Sequence, residues 1–332
     1  MKLQQLRFLS AVAENGLNIT SAAEALYTSQ PGVSKQIRLL EDELGLKLFV
    51  RKGKRIEALT PAGEKIVERA DRVLREINAI KSMSEELRGE VKGRLSLATT
   101  QTQARYVLPP VINAFRQRFP DISLELHQGT SEQIARMIAE RQADFAMVTG
   151  STELFNDVIK LPVYRWDRVV VVPSQHPLAK SNEPLTLKIL ARYPLVTYLF
   201  SDRPESSLMT TFQQAGLSPR IAFTARDSDI IKTYVRTGLG VGLVAGMAIE
   251  PDGDDDLVAL SASHLFPRLT TWIGYRRDLL LKNFHGDFLR LIAPHLDSHL
   301  IDDALKSRPI PELEELLQET RLPFRSSSAI AA

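Results

Sequence analysis

Leu3, Leu6, Leu9 and Val12 recur every third residue and so share one face of a first helix. Asn18, Thr20 and Ser21 then offer caps for a short second helix that carries Ala22, Ala23 and Ala25 and ends near Leu26, and such small side chains suit close packing against a neighbour. Ser29 caps a third helix opened by Gln30 and Pro31, since a proline in the first turn forfeits no intrahelical hydrogen bond. Val33, Ile37 and Leu40 fall on its inner face, while Gln30, Ser34, Lys35 and Arg38 point outward. That outer face, with Ser29 at its start, holds donors able to read base edges and phosphates, which predicts a DNA-recognition helix. The pattern alone leaves a plain helical bundle equally open.

Charge changes that balance. The segment FVRKGKRIEALTPAG predicts two short strands, at Val50 and over Ile56 to Leu59, joined by a glycine turn that bears Arg51, Lys52, Lys54 and Arg55. Residues 1–60 hold nine Lys and Arg against six Asp and Glu, a net of +3, whereas the whole chain carries only +2. A charge run is usually a solvated turn, but here it stands where a winged helix-turn-helix needs groups that neutralise phosphates. From Thr60 and Pro61 a further helix follows, with Ile66, Ala70, Val73, Ile77, Ile80, Ser84 and Leu87 at alternating intervals of four and three. This is a heptad seam. Glu68, Arg69, Arg72, Arg75 and Glu76 leave little apolar surface beside it, which favours pairing with a second chain over burial on the same domain, and Gly89 and Gly93 end the helix.

From Arg94 the chain alternates strand and helix: RLSLATT, VLPPVINAFRQRF, ISLELHQG, SEQIARMIAERQ and ADFAMVTG form one unit. A second unit runs through RVVVVP, LVTY, a helix near Ser206 to Ala215, RIAFTA, a helix from Asp227 to Thr237, and VGLVAG, before LTTWIGYRR returns. The class is α/β. Thr100, Thr102 and Gln103 lie where a strand gives way to a helix, a junction whose free N–H groups favour an anion, and Thr149 ends the parallel strand ADFAMVT where ligands of open sheets gather. Taken singly, each threonine reads equally as a helix cap.

The first sixty-odd residues resemble the LysR-type transcriptional regulators, through SAAEALYTSQPGVSKQIRLLEDELGLKLFVR and LTPAG. The resemblance implies a winged helix-turn-helix over 1–59, a dimerising linker helix over 60–90 and a two-lobed effector domain of the periplasmic-binding-protein type over 91–300. Lobe I is expected at about 91–162 and 268–300, lobe II at about 163–267, and a partly disordered C-terminal extension over 301–332, disordered in its last eight residues. ATTQTQARYVLP, ADFAMVT, YRWDRVVVVP, YPLVTY and TARDSDIIKTYVRTGLGVGLVA are further similar to the CysB-like subgroup, nearly end to end. That likeness implies control of sulfur assimilation genes by a sulfate-like anion or acetylated serine, held by Thr100, Thr102, Gln103, Thr149 and Trp166. Two departures stand out: Gln101 replaces the subgroup's usual histidine, and Arg203 in FSDRPESS stands where a hydroxyl residue is usual. An arginine there clamps an anion bidentately or simply faces solvent.

The implied partners are double-stranded promoter DNA, further copies of the chain as a dimer or homotetramer, a small effector, and RNA polymerase as a candidate. Other readings stay open: a regulator of sulfonate use or oxidative defence with an organic-anion effector, or a cytosolic small-molecule binder without DNA function. The 332 residues contain no cysteine, which excludes disulfides, thiolate metal sites and thiol redox switches. Gln4, Gln5 and Arg7 interrupt any signal-peptide run and no stretch reaches membrane-spanning length, so a cytoplasmic protein with no membrane partner is expected. Gly240, Gly242 and Ala245 spell GxGxxA, but after a helix and before a strand, the reverse of a dinucleotide site. His295 and His299, near Asp302 and Asp303, lack a clear third ligand, so no metal is assigned, and no nucleophile elbow or other catalytic signature points to an enzyme.

Overall fold

Asn18 and Ser29 start two helices by the same local chemistry. Asn18 Oδ1 accepts from the N–H groups of Thr20 and Ser21 at 2.9 and 3.2 Å, and Ser29 Oγ accepts from Gly32 at 3.3 Å. The computed structural model describes residues 1–53, 55–87, 92–181, 183–306, 309–326 and 330–331, and the chain divides into two units, 1–91 and 92–332. In the first, α1 (Leu3–Glu14), α2 (Ile19–Ala25) and α3 (Gln30–Leu44) precede an antiparallel pair, β1 (Phe49–Lys52) and β2 (Arg55–Leu59), and then the long α4 (Pro61–Leu87). Leu9, Val12, Ala22, Val33, Ile37, Leu40 and Leu48 fill the core, each wholly buried. A Cβ on Gly63 would stand 2.0 Å from the Leu48 carbonyl oxygen, so the glycine of LTPAG is what lets α4 start against the backbone just before β1.

The heptad residues divide in two. Ala70 is buried within this same core, with Ile66 packed beside it, and Ser10 Oγ on α1 donates to Asp71 at 2.5 Å. Ile66 and Ala70, expected at an interface between chains, thus face the protein's own α1. Val73 and Ile80 are exposed. The Leu87 side chain and Gly89 lie outside the described residues, and Gly93 begins a strand.

In the second unit, β3 (Gly93–Thr99), α5 (Gln101–Tyr106), α6 (Leu108–Arg118), β4 (Ile122–Gln128), α7 (Ser131–Ala139), β5 (Phe145–Thr149) and β6 (Val158–Trp166) build lobe I. The chain then enters lobe II through β7 (Arg168–Pro173), α8 (Leu187–Leu190), β8 (Pro194–Tyr198), α9 (Ser207–Gln214), β9 (Arg220–Ala225), α10 (Ser228–Arg236), β10 (Val241–Ala245) and β11 (Leu257–Ser261). It returns as β12 (Leu269–Arg276), antiparallel between β5 and β6, and ends in α11 (Asn283–Ile292), α12 (Ser298–Leu305), α13 (Leu313–Glu319) and β13 (Ile330–Ala331). The strand orders are β4-β3-β5-β12-β6 and β13-β11-β7-β10-β8-β9. Because β6 pairs with β12 as far as Trp166, the crossing falls at Asp167 rather than near residue 163.

Gly240 and Gly242 are packing glycines: a Cβ on the first would meet the Pro194 carbonyl oxygen at 2.3 Å, and on the second Val235 at 2.7 Å. The C-terminal extension lies on the fold, with Leu313 and Leu316 of α13 buried against lobe I. The Arg325 N–H donates to the Arg165 carbonyl at 2.9 Å and β13 runs parallel to β11, so the tail expected to be disordered is placed at 325–326 and 330–331. Backbone pairing, invisible to composition, is the reason. No helix among the described residues is long and apolar enough to cross a membrane.

Candidate functional site

On the first unit, the recognition face is as polar as its residues require. Gln30, Lys35 and Arg38 are exposed and Ser34 is half-buried, while Ser29 spends its hydroxyl on the cap. Tyr27, not singled out by sequence reasoning, is 99% exposed in the turn before α3, in a left-handed backbone with φ of 50°. On the wing, Lys52 is exposed and lies 3.9 Å from Glu57, and Gly53 makes the turn with φ of 63°. Lys54 and the Arg55 side chain lie outside the described residues.

Arg51 departs from expectation. Its Nη2 lies 3.6 Å from the Glu41 carboxylate, which is buried at the end of α3 and accepts from the Leu48 N–H at 2.8 Å. Such a carboxylate needs its cation, so Arg51 serves to anchor the wing to α3 rather than standing free for phosphate. Glu41 supplies the link that charge counting cannot show.

In the second unit, Thr100, Thr102, Gln103, Thr149 and Trp166 come together around a cavity of about 40 Å³ between the lobes, with Ser131, Ser151, Tyr198, Phe200 and Ala245 completing the wall. Thr100 occupies the N-cap position of α5 but makes no side-chain cap; its hydroxyl donates to the Gln103 amide oxygen. Gln103 Nε2 donates to Thr149 Oγ1 at 3.1 Å, and Thr149 and Thr271 share a hydrogen bond of 2.7 Å. The Trp166 indole N–H points at both hydroxyls, 3.3 Å from Thr149 and 3.2 Å from Thr271. Opposite, Tyr198 OH accepts from the Ala245 N–H at 3.0 Å and bonds Ser228 at 2.7 Å. Burial pushes the Tyr198 phenol up and keeps it neutral. Among the described residues, every side chain lining this cavity is uncharged.

Arg203 is not in that wall. It lines an adjoining cavity of about 60 Å³ with Arg226, Glu132 and Gly129, which also borders Thr100, Thr102 and Phe200. There it pairs with Glu132 of lobe I, and the guanidinium holds that carboxyl down to about 2. Sequence reasoning missed Tyr198 and Thr271. Tyr198 ends a parallel strand just as Thr149 does, a signal that was available; Thr271 reaches the site only through its register opposite Thr149 on antiparallel β12.

The back of α5 ties the lobes. Arg105 pairs with Asp229 at 2.7 Å and Glu250 at 3.1 Å, and Tyr106 OH donates to Asp229 at 2.7 Å. A larger groove of about 610 Å³ lies on lobe I beside Arg141 and Arg276, but both arginines already pair with Asp278. His295 turns its Nε2 to the Pro162 carbonyl and Asp302 pairs with Arg290, so they do not converge with His299. Among the described residues no group of three or more His, Asp or Glu is placed to hold a metal.

Residues 3–64 match the model of the bacterial regulatory helix-turn-helix protein, lysR family, and residues 88–297 that of the LysR substrate binding domain. The chain is 45% identical over 322 residues, 97% of its length and 99% of the relative's, to the HTH-type transcriptional regulator CysB of Haemophilus influenzae. It is 42% identical to the HTH-type transcriptional regulator SsuR of Burkholderia cenocepacia, covering 92% of this chain and 99% of that one. The crystal structure of the cofactor-binding domain of the Cbl transcriptional regulator superposes with a TM-score of 0.61 at 38% identity, covering 65% of this chain and 95% of that one. The chain belongs to the LysR family, and is a DNA-binding transcriptional regulator, not an enzyme.

Proposed function

We propose that this regulator controls sulfur assimilation genes from the cytoplasm, bound to promoter DNA as a dimer or tetramer, with a sulfate-like anion or acetylated serine as effector in the cavity between its lobes. The observation that carries the effector reading is the ring of fixed neutral donors, Thr100, Thr102, Gln103, Thr149 and Trp166, around one small space. These hydroxyl, amide and indole groups bond one another, so an oxyanion binds there by taking over donors already held close to the positions it needs. The names CysB and SsuR among relatives more than 40% identical support the sulfur reading.

Control follows from α5, which presents Thr102 and Gln103 to the cavity and Arg105 and Tyr106 to lobe II. An anion seated there favours one lobe arrangement, and the α4 helices carry that change to paired DNA-binding units. Promoter-bound RNA polymerase is the partner on which such a change acts. Calorimetry on the full chain, with sulfate and then O-acetylserine and N-acetylserine, tests this reading; failure of all three to bind would remove it. A regulator of sulfonate use with a larger organic anion is the second reading, favoured by the adjoining cavity with Arg203 and Arg226.

A further inference from the structure

Arg168 opens β7, two residues beyond Trp166, and is 2% exposed. Its Nη2 donates to Ser207 Oγ at 3.0 Å, and the guanidinium carbon lies 5.8 Å from the centre of the Phe266 ring. Nε and Nη1 are buried without a hydrogen-bond partner, and among the described residues no carboxylate pairs with it. Burial pushes the guanidinium down to about 10, so it stays cationic at neutral pH. A buried cation of this kind is unfavourable unless something answers it.

The cavity is where an answering charge fits. The Cα partner of Arg168 across the sheet is Ala245, which lines the cavity beside Tyr198, whose OH accepts from the Ala245 N–H, and the charge of Arg168 acts on that phenol. We propose that Arg168 is the counter-charge of the effector cavity: it touches no ligand, but makes a space walled by neutral groups select an anion over an uncharged molecule of the same shape. Neutral donors alone bind a sulfone and a sulfonate through the same oxygens; a fixed cation behind the wall separates them. The proposal rests on the anion reading of the cavity.

The test uses the full chain and a shape-matched pair, methanesulfonate and dimethyl sulfone, with dissociation constants from calorimetry. The wild type is expected to prefer the sulfonate by about tenfold or more. Arg168→Met is expected to bring the ratio near one while leaving the apo melting temperature unchanged or higher, because an apolar group relieves the unanswered charge. Arg168→Lys keeps the preference. The double variant Arg203→Ala with Arg226→Ala removes the exposed cations and is expected to keep it too, and this variant decides alone if Arg168→Met does not fold. A preference retained by Arg168→Met, or lost in the double variant, overturns the role of Arg168 while leaving the anion site standing. No preference in the wild type removes the anion reading and this proposal together.

Discussion

Lys35, Arg38 and Lys52 stand in solvent on the first unit, whereas the cavity of the second is walled by hydroxyl, amide and indole groups, with Arg203 beside it paired to Glu132. The difference follows from the ligands each suits. A DNA backbone offers many phosphates and releases counterions, so mobile exposed cations suffice and affinity falls steeply with salt. A single small anion needs fixed donors, and exposed lysines would bind it weakly and without shape.

Substitutions at six positions test that contrast. Ile77→Glu, between the exposed Val73 and Ile80 on α4, should have the largest effect, since a carboxylate buried in a helix seam costs several kcal/mol in each chain. Light scattering should show the dimer lost. An unchanged dimer would mean that α4 is a helix packed only on its own domain, as Ile66 and Ala70 already are. Glu41→Ala should come next: it strands the Leu48 N–H and leaves Arg51 without its partner, costing about 3 kcal/mol in chemical unfolding of the first unit. A cost below about 0.5 kcal/mol would place Arg51 back among the free cations of the wing.

The second unit should show the signature of a buried neutral group. Burial pushes the His285 imidazole down to about 4 from the ordinary 6.5. Between those values the unfolded chain takes up a proton that the folded one refuses, so stability present above pH 6.5 is lost as pH falls toward 4. The loss is on the order of 1 to 3 kcal/mol, and His285→Gln should flatten the profile. A profile that keeps its slope in the variant would assign the acid sensitivity elsewhere. Lys52→Ala should be the mildest, lowering the salt slope of DNA binding by about one for one lost phosphate contact with no change in folding. Gln30→Ala or Lys35→Ala should instead reduce discrimination between promoter and random DNA, and equal losses for all three would erase the division between reading and positioning.

What could be read in the chain was what local chemistry decides. Caps at Asn18 and Ser29, the glycine turn of the wing, the span of α4 and the alternation of strand and helix all follow from residues within a few positions of one another. The strand-end rule likewise brings Thr100, Thr102 and Gln103 near Thr149, since β3 and β5 are parallel neighbours. Long-range pairing was not legible. Thr271 joins the site through an antiparallel strand that returns from lobe II, Arg51 turns inward because Glu41 lies buried beneath it, and β13 is placed by a partner strand some seventy residues earlier. Arg203, read as an effector clamp or a solvent-facing residue, instead meets Glu132 from the other lobe.

We propose that effector in the cavity of the second unit controls DNA binding by the first. The most direct test of this control measures the affinity of the full chain for its promoter with and without saturating effector, first sulfate and then the acetylated serines, in wild type and Thr102→Val. The valine keeps the shape but removes a buried hydroxyl, a loss of about 1 to 3 kcal/mol in anion affinity. Effector is expected to shift promoter affinity severalfold in the wild type, and Thr102→Val to need at least about tenfold more effector for the same shift. The same response at the same effector concentration in both proteins would contradict the proposal.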